Sequence, residues 1–587
     1  MADAPLTSLL LQRVPTLERK DGQKIIGKVD LNVIPFIFLA VFFIYVDRAS
    51  VVLLGSDLCA SLGLHDEEYR AGNLLFMVGL LVFQVPSNMV LERVHAGRYI
   101  GGLLATWGLV ALLSFLATNA VGFYVSRFVL GAVEAGIVPG LWYYCTLFYP
   151  EYSLVLPFTV VEVGRFSASF LSIPFSSYIH DLGGSLEGWQ WVMISEGCCA
   201  IIVGVVLFFT MPGSLSDCYF LSLRDARWVT KELRGSIAPD KPGFVAGPAK
   251  LVQQCRGVLL CGGLWACAAV KFGSRMSSDL LYHWAPAIIS NHSAPGALTA
   301  KTQSMACESE GDKQGYGVGF TDVWAYAAIP YGVAFFGAFI VATTSMRYRE
   351  RKHHAAWLLC GTAVSLYLLV IVSLSDSWAA VFTFLAIALV GVLSAGGPIV
   401  ALASSFLSTS QKAVGLAGLS VISQLGGYVG VLVTNALISD HKTYTNPMLV
   451  VASLLVVSVL ITLTLPDPIK MKKKPLLAVD LFMDDFSKPM KSTDPPEELP
   501  ISQPIVPPAS GVLDPPPAAD VEKEDLIPEK IAYATVVYAF EGELDGELTV
   551  GIGEVVEVIG SEKDGWVYVR RDEDAGIIPV AYLEFEG

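Results

Sequence analysis

Charged side chains are scarce in this chain. Asp, Glu, Lys and Arg make up 16% of its 587 residues, where a soluble protein of that length would carry about 25%. With 53% hydrophobic residues and a mean hydropathy of +0.56, the shortfall excludes water as the only solvent and surrounds much of the chain with lipid. Cysteine pairs with ligand spacing are missing too. None of the ten cysteines stands in a Cys-x-x-Cys or Cys/His pattern, and most lie inside apolar runs as small hydrophobes, so neither a metal site nor a disulfide framework is expected. Residues 1–30 are polar and the first apolar run already has full span length, so no cleavable leader is expected either. Nothing in the residue pattern suggests a cofactor, a nucleic-acid surface or enzyme chemistry.

The net charge of −15 is unevenly distributed. From Pro475 onward there are 25 acidic and 7 basic residues, so the preceding part is close to neutral and slightly basic. In that part, twelve apolar segments are each long enough to cross the roughly 30 Å core of a bilayer: 31–55, 71–91, 99–117, 120–148, 157–180, 190–212, 257–290, 323–346, 354–375, 377–407, 413–439 and 447–467. They divide six and six around a polar stretch, 213–256, an all-α polytopic arrangement in two six-helix halves, 31–212 and 257–467. Lys and Arg collect on one side. With the N-terminal segment 1–30 in the cytosol, inner segments hold 23 basic residues and outer ones 4 (Arg70, Lys301, Lys313, Lys442), which orients both chain ends to the cytosol. The sequon at Asn291 then falls in an outer loop, 291–322, and is a candidate glycosylation site.

Residues 468–530 are acidic and rich in Pro, a composition that buries no core and reads as an extended linker. From 531 to 587 apolar and polar residues alternate between turn signals, the pattern of a small all-β domain of about five strands.

Ionisable residues inside apolar segments cost several kcal/mol each and therefore point to function. Asp47 and Arg48 lie deep in the first segment. Arg127 and Glu134 stand seven apart on the fourth, with Gly131 between them on the same face. Two acids and two bases can neutralise one another, and protonating one acid frees an arginine for an anion. The pattern is that of a device binding a proton and an anion together; a structural cluster of salt bridges is the alternative. On the seventh segment Lys271, Arg275 and Asp279 share one face. They supply a second positive contact to substrate, or else form an internal pair near the outer end with Lys271 snorkelling. Glu162 and Arg165, early in the fifth segment, read as gating or interface charges.

At these residues the chain resembles the anion:cation symporter family of major facilitators. The first segment reads KVDLNVIPFIFLAVFFIYVDRAS, with that family's Lys-Val-Asp start and Asp-Arg pair. VPSNMVLERVHAGR is similar to its Pro-Ser-Asn signature, SRFVLGAVEAGIVPGLWYYCTLFYP to its fourth helix, and GWQWVMISEG to its Trp-x-Trp and Glu-Gly. Two inner segments depart from it: YPEYSLVLP lacks the usual basic residues, and SFLSTSQKAVG lacks an Asn-rich, Lys-Arg pattern. The resemblance implies a major facilitator fold and symport of a small organic anion with protons, or with sodium, by a monomeric unit. Arg48 would hold the substrate carboxylate, Arg275 and Lys271 would assist, and Asp47 and Glu134 would couple, with Arg127 as countercharge. A facilitative carrier, or a membrane-anchored scaffold or nutrient sensor with little transport, remains the alternative. The plasma membrane is the default location.

Residues 531–586 resemble a Src-homology 3 (SH3) domain through VVYAF, DGELTV, DGW and GIIPVAYLE. The resemblance implies an aromatic groove of Tyr538, Phe540, Trp566, Pro579 and Tyr582, with Asp545 and Glu547 beside it, docking proline-rich cytosolic peptides.

Overall fold

The computed structural model describes residues 19–181, 185–235, 248–293, 319–372, 377–438, 445–466 and, near the C-terminus, residues 532–536, 548, 550, 554–558, 566–571, 574–579 and 583–585. The chain divides into two compact units, Met1–Pro489 and Met490–Gly587.

The described residues of the first unit form helices and their short connections, because a backbone in lipid must satisfy its own N–H and C=O groups. The first half comprises α1 (Arg19–Leu53), α2 (Gly55–Leu62), α3 (Asp66–Leu91), α4 (Ala96–Leu113), α5 (Ala120–Glu134), α6 (Ile137–Phe148), α7 (Val155–His180) and α8 (Gly188–Thr210). The polar stretch carries α9 (Leu223–Gly235) and α10 (Pro248–Leu259), and Asp225 on α9 binds Lys28 on α1 at 2.6 Å. The second half comprises α11 (Gly262–Ser293), α12 (Gly319–Tyr348), α13 (Lys352–Val372), α14 (Trp378–Ser405), α15 (Lys412–Ile438) and α16 (Thr445–Thr464). Among the described residues ten helices are long and apolar enough to cross a membrane, eleven if the bent pair α10–α11 forms one span; α7 is not among them.

Each expected span falls on a long helix, with three differences. The first helix begins at Arg19, well before the apolar run, because a helix continues into water wherever its residues permit. The fourth span is interrupted at Ala135 and Gly136, between α5 and α6, yet runs on as one span, Ala120–Phe148. Pro139 explains the break: it has no N–H for the carbonyl of Ala135, and its ring collides with that carbonyl. The seventh helix runs to Ser293, so Asn291 lies in its last turn rather than in a loop. A further correction concerns sulfur. Cys59 on α2 is disulfide-bonded, and spacing could not reveal it because the next cysteine in the chain is Cys145.

Lipid supplies no hydrophobic drive between helices, so they associate by close packing over small residues. The contact of α4 with α8 illustrates this. A Cβ on Gly101 would lie 2.4 Å from the Phe208 nitrogen, and one on Gly204 would lie 2.4 Å from the Ala105 nitrogen. The halves meet through equivalent helices: α3 packs on α15, and α7 on α12 and α14. These are the second and fifth spans of one half against the fifth, second and fourth of the other.

The second unit is a five-stranded antiparallel sheet in the order β4-β3-β2-β1-β5, from β1 (Ala532–Val536), β2 (Val555–Val558), β3 (Trp566–Arg571), β4 (Asp574–Pro579) and β5 (Leu583–Phe585). Ala534, Val536, Leu548, Val550, Val556 and Val569 form its core.

Candidate functional site: two buried charge clusters

The first cluster lies wholly within the first half. Asp47 and Arg48 are neighbours on α1, so their side chains diverge by about 100° and reach different partners. Arg48 forms an ion pair with Glu134 on α5 through Nη2 and Oε1. Arg127, two turns earlier on α5, places Nη1 3.8 Å from Asp47 Oδ2 and donates from Nη2 to Asn73 Oδ1 at 3.3 Å. Phe76 separates the two guanidiniums, 5.0 Å from Arg48 and 4.7 Å from Arg127, and the Tyr45 ring lies 4.8 Å from Arg48. Phe76 reaches this position because α3 and α5 touch backbone to backbone: a Cβ on Gly131 would stand 2.0 Å from the Phe76 carbonyl oxygen. The glycine seen in the sequence therefore serves a neighbouring helix.

Asp47, Glu134 and Arg127 are 0%, 1% and 6% exposed. Both Asp47 oxygens, Glu134 Oε2, and the Nε atoms of Arg48 and Arg127 nevertheless have no hydrogen-bond partner. Charged groups buried in that condition are held at a cost. Protonating either acid, or bringing in an anion, would lower it.

The second cluster joins the two halves. Lys271 on α11 binds Glu162 on α7 at 2.6 Å. Arg165 on α7 reaches back to Glu162 at 3.7 Å, across to Asp279 on α11 at 2.9 Å, and to the Ser278 hydroxyl at 3.1 Å. Arg275 holds the other Asp279 oxygen at 3.0 Å. Gly396 on α14 makes room for this, since a Cβ there would lie 2.6 Å from Glu162 Cγ. Lys271 is 3% exposed, so it does not snorkel to water. These five residues carry three positive and two negative charges.

A cavity between the halves is lined by Tyr45, Trp142, Glu162, Arg165, Arg275, Ser423 and Gln424, among others. Tyr45 connects the clusters, because its ring stacks with Arg48 and also lines the cavity. Arg275 thus reaches the cavity directly, whereas Arg48 reaches it by way of Tyr45.

The two inner segments that depart from the family pattern face each other. Lys412 lies 4.0 Å from Glu151, and the Arg349 guanidinium sits 4.7 Å from the Tyr152 ring. Burial raises the Tyr152 hydroxyl pKa to about 12. One acid was overlooked in the sequence beyond its place in the Glu-Gly motif: Glu196 on α8 is buried and accepts from Ser50 and Ser176. A lone glutamate in an apolar span was the available signal. In the second unit, Trp566 and Pro579 stand opposite each other in register on β3 and β4. Tyr538, Phe540, Asp545, Glu547 and Tyr582 lie outside the described residues.

Residues 37–300 match the family model described as Major Facilitator Superfamily, and residues 535–580 match that of the SH3 domain. A putative tartrate transporter of Agrobacterium vitis is 27% identical over 471 residues, covering 77% of this chain and 95% of the relative. The putative metabolite transport protein NicT of Pseudomonas putida is 25% identical, covering 75% and 94%. Among solved structures, that of the proton:xylose symporter XylE aligns with a TM-score of 0.55 at 12% identity, over 74% of this chain and 96% of that one. At that identity the likeness concerns the fold.

Proposed function

Starting from a chain that is a transporter of the Major Facilitator Superfamily with an SH3 domain at its C-terminal end, we propose that it carries a small organic carboxylate together with protons by alternating access. The observation that carries this reading is the buried quartet Asp47, Arg48, Arg127 and Glu134, in which two ion pairs leave carboxylate oxygens without partners. A proton on Glu134 dissolves its ion pair and releases the Arg48 guanidinium, whose planar fork then takes the substrate carboxylate. Loss of the proton on the far side restores the pair and expels the anion. The cation surplus at Glu162, Arg165, Lys271, Arg275 and Asp279 provides the second positive contact, with Arg275 facing the cavity, and Ser423 and Gln424 suit hydroxyl or ring-nitrogen groups on the substrate.

The tartrate relative's name directs the choice of substrates toward hydroxy-dicarboxylates, and the resemblance to the anion:cation symporter family adds nicotinate. Both chain ends face the cytosol of the plasma membrane, the transport unit is a monomer, and Asn291 carries glycan. The SH3 domain binds proline-rich cytosolic peptides and sets location or turnover of the carrier. The test is uptake of labelled tartrate, nicotinate and other carboxylates into proteoliposomes at acidic and at neutral outer pH, with and without a sodium gradient. Acid-stimulated uptake independent of sodium is expected. Sodium dependence would replace the coupling ion. No uptake of any carboxylate by folded protein would overturn the reading.

A further inference from the structure

One buried acid belongs to neither cluster. Glu196 on α8 is 3% exposed. Its Oε1 accepts from the Ser50 hydroxyl on α1 at 2.5 Å and from Ser176 on α7 at 3.1 Å, and its Oε2 has no partner. The charged side chain facing it is Asp47, one turn before Ser50 on α1, and that is a second acid. Among the described residues the other helices packed on α8 bring it no cation. From α7 it meets Ser176, while Arg165 is bound to Glu162 and Asp279 and His180 to Asp57. From α4 it is approached near Gly108, which packs on Gly197; Arg98 and Tyr99 are nine or more residues back, roughly 14 Å along the helix. On α8 itself the ionisable neighbour is Cys199.

The hydrogen bonds can be counted in protons. Ser50 Oγ is 3.0 Å from the Val46 carbonyl oxygen, 2.8 Å from Ser176 Oγ and 2.5 Å from Glu196 Oε1, and Ser176 Oγ is 3.1 Å from the same carboxyl oxygen. Each of these four contacts needs one proton between its atoms. An ionised Glu196 leaves only the two hydroxyl protons to share among them. A protonated Glu196 supplies a third and satisfies three of the four, its Oε1 then donating to one serine oxygen and accepting from the other. A nearby buried acid disfavours the ionised form, and Asp47 has Arg127 as a countercharge where Glu196 has two hydroxyls.

We infer that Glu196 is a further proton-binding site of the carrier, holding a proton in this conformation while Asp47 is ionised and exchanging it during the transport cycle. This rests on the proton-coupled reading above and adds to it a third acid and one proton of coupling. No bond other than the carboxyl O–H forms or breaks.

Difference infrared spectroscopy of the purified protein at neutral pH, unaltered minus Glu196→Gln, tests the occupancy without any substrate. A deuterium-sensitive carbonyl band of a protonated acid is expected, absent from Glu196→Gln and shifted in Ser50→Ala. Its absence overturns the inference. Transport of labelled tartrate tests the exchange. Glu196→Gln, a neutral isostere, is expected to keep counterflow exchange while proton-driven accumulation falls at least tenfold and the pH profile flattens. Unchanged accumulation and pH profile would make Glu196 a hydrogen-bonding filler and overturn the inference alone. A pH-independent unaltered carrier would instead remove the proton-coupled reading, and this inference with it.

Discussion

The two charge clusters are both made of buried carboxylates and cations and differ in how they are held. The first sits inside one half, is electrically balanced, and leaves carboxylate oxygens and guanidinium nitrogens without hydrogen bonds. The second crosses between the halves, has one cation in surplus, and binds each carboxylate to two cations. A buried ion pair stabilises only where geometry and further hydrogen bonds offset its desolvation. By that measure the second cluster is a clasp between bodies that must separate, and the first is a poised switch. The alternating access proposed above would use both, the switch sensing the proton and the clasp yielding when it does.

Removing the cation of the switch should have the largest effect. Arg48→Ala strands Glu134 and deletes the carboxylate contact. Truncating one partner of a desolvated charge contact costs about 2–5 kcal/mol of binding, so uptake should fall at least ~30-fold at about 1.4 kcal/mol per decade. Radiolabel uptake measures this, and near-normal transport would show that the anion is held elsewhere. Glu134→Gln should separate the two functions of the switch: Arg48 stays free, so counterflow exchange continues while pH-driven accumulation disappears. In the proposed mechanism proton binding releases the arginine, so unaltered protein should transport faster as outer pH falls, and Glu134→Gln should lose that slope.

The clasp should respond differently. Lys271→Met and Glu162→Gln should each lower thermal stability and slow transport. The double variant should be less damaged than the sum, with a coupling of ~0.5–3 kcal/mol from a double-mutant cycle. Strict additivity would mean that the 2.6 Å contact carries no energy. The smallest effect on transport is expected from Trp566→Ala, which should leave reconstituted uptake unchanged while abolishing binding of a polyproline peptide by calorimetry.

Much of this was legible in the residues alone. Apolar length names twelve segments, ten or eleven of which are long, apolar helices among the described residues, and the polar stretch between them marks two halves; the interruption at Pro139 was not read from the sequence. Asp47, Arg48, Arg127 and Glu134 stood out because a charge in lipid is expensive wherever it occurs. Their pairing was not legible: adjacent positions on α1 point to different partners, and only the approach of α3 to α5 over Gly131 places Phe76 between the arginines. Lys271 is harder still. On α11 it reads as a substrate contact or a snorkelling lysine, and its partner is Glu162, 109 positions away and in the other half. Glu196 went unmarked because one acid in a span has no periodicity, and its meaning depends on which hydroxyls and charges meet it.

The sequence by itself determined what must be solvated by lipid, which residues are too costly to be there by accident, and where an independent β domain begins, because hydrophobicity and charge are properties of residues. The tertiary structure decided who pairs with whom. A buried charge takes its role from the few ångströms around it, and those are set by helices that meet far apart in the chain.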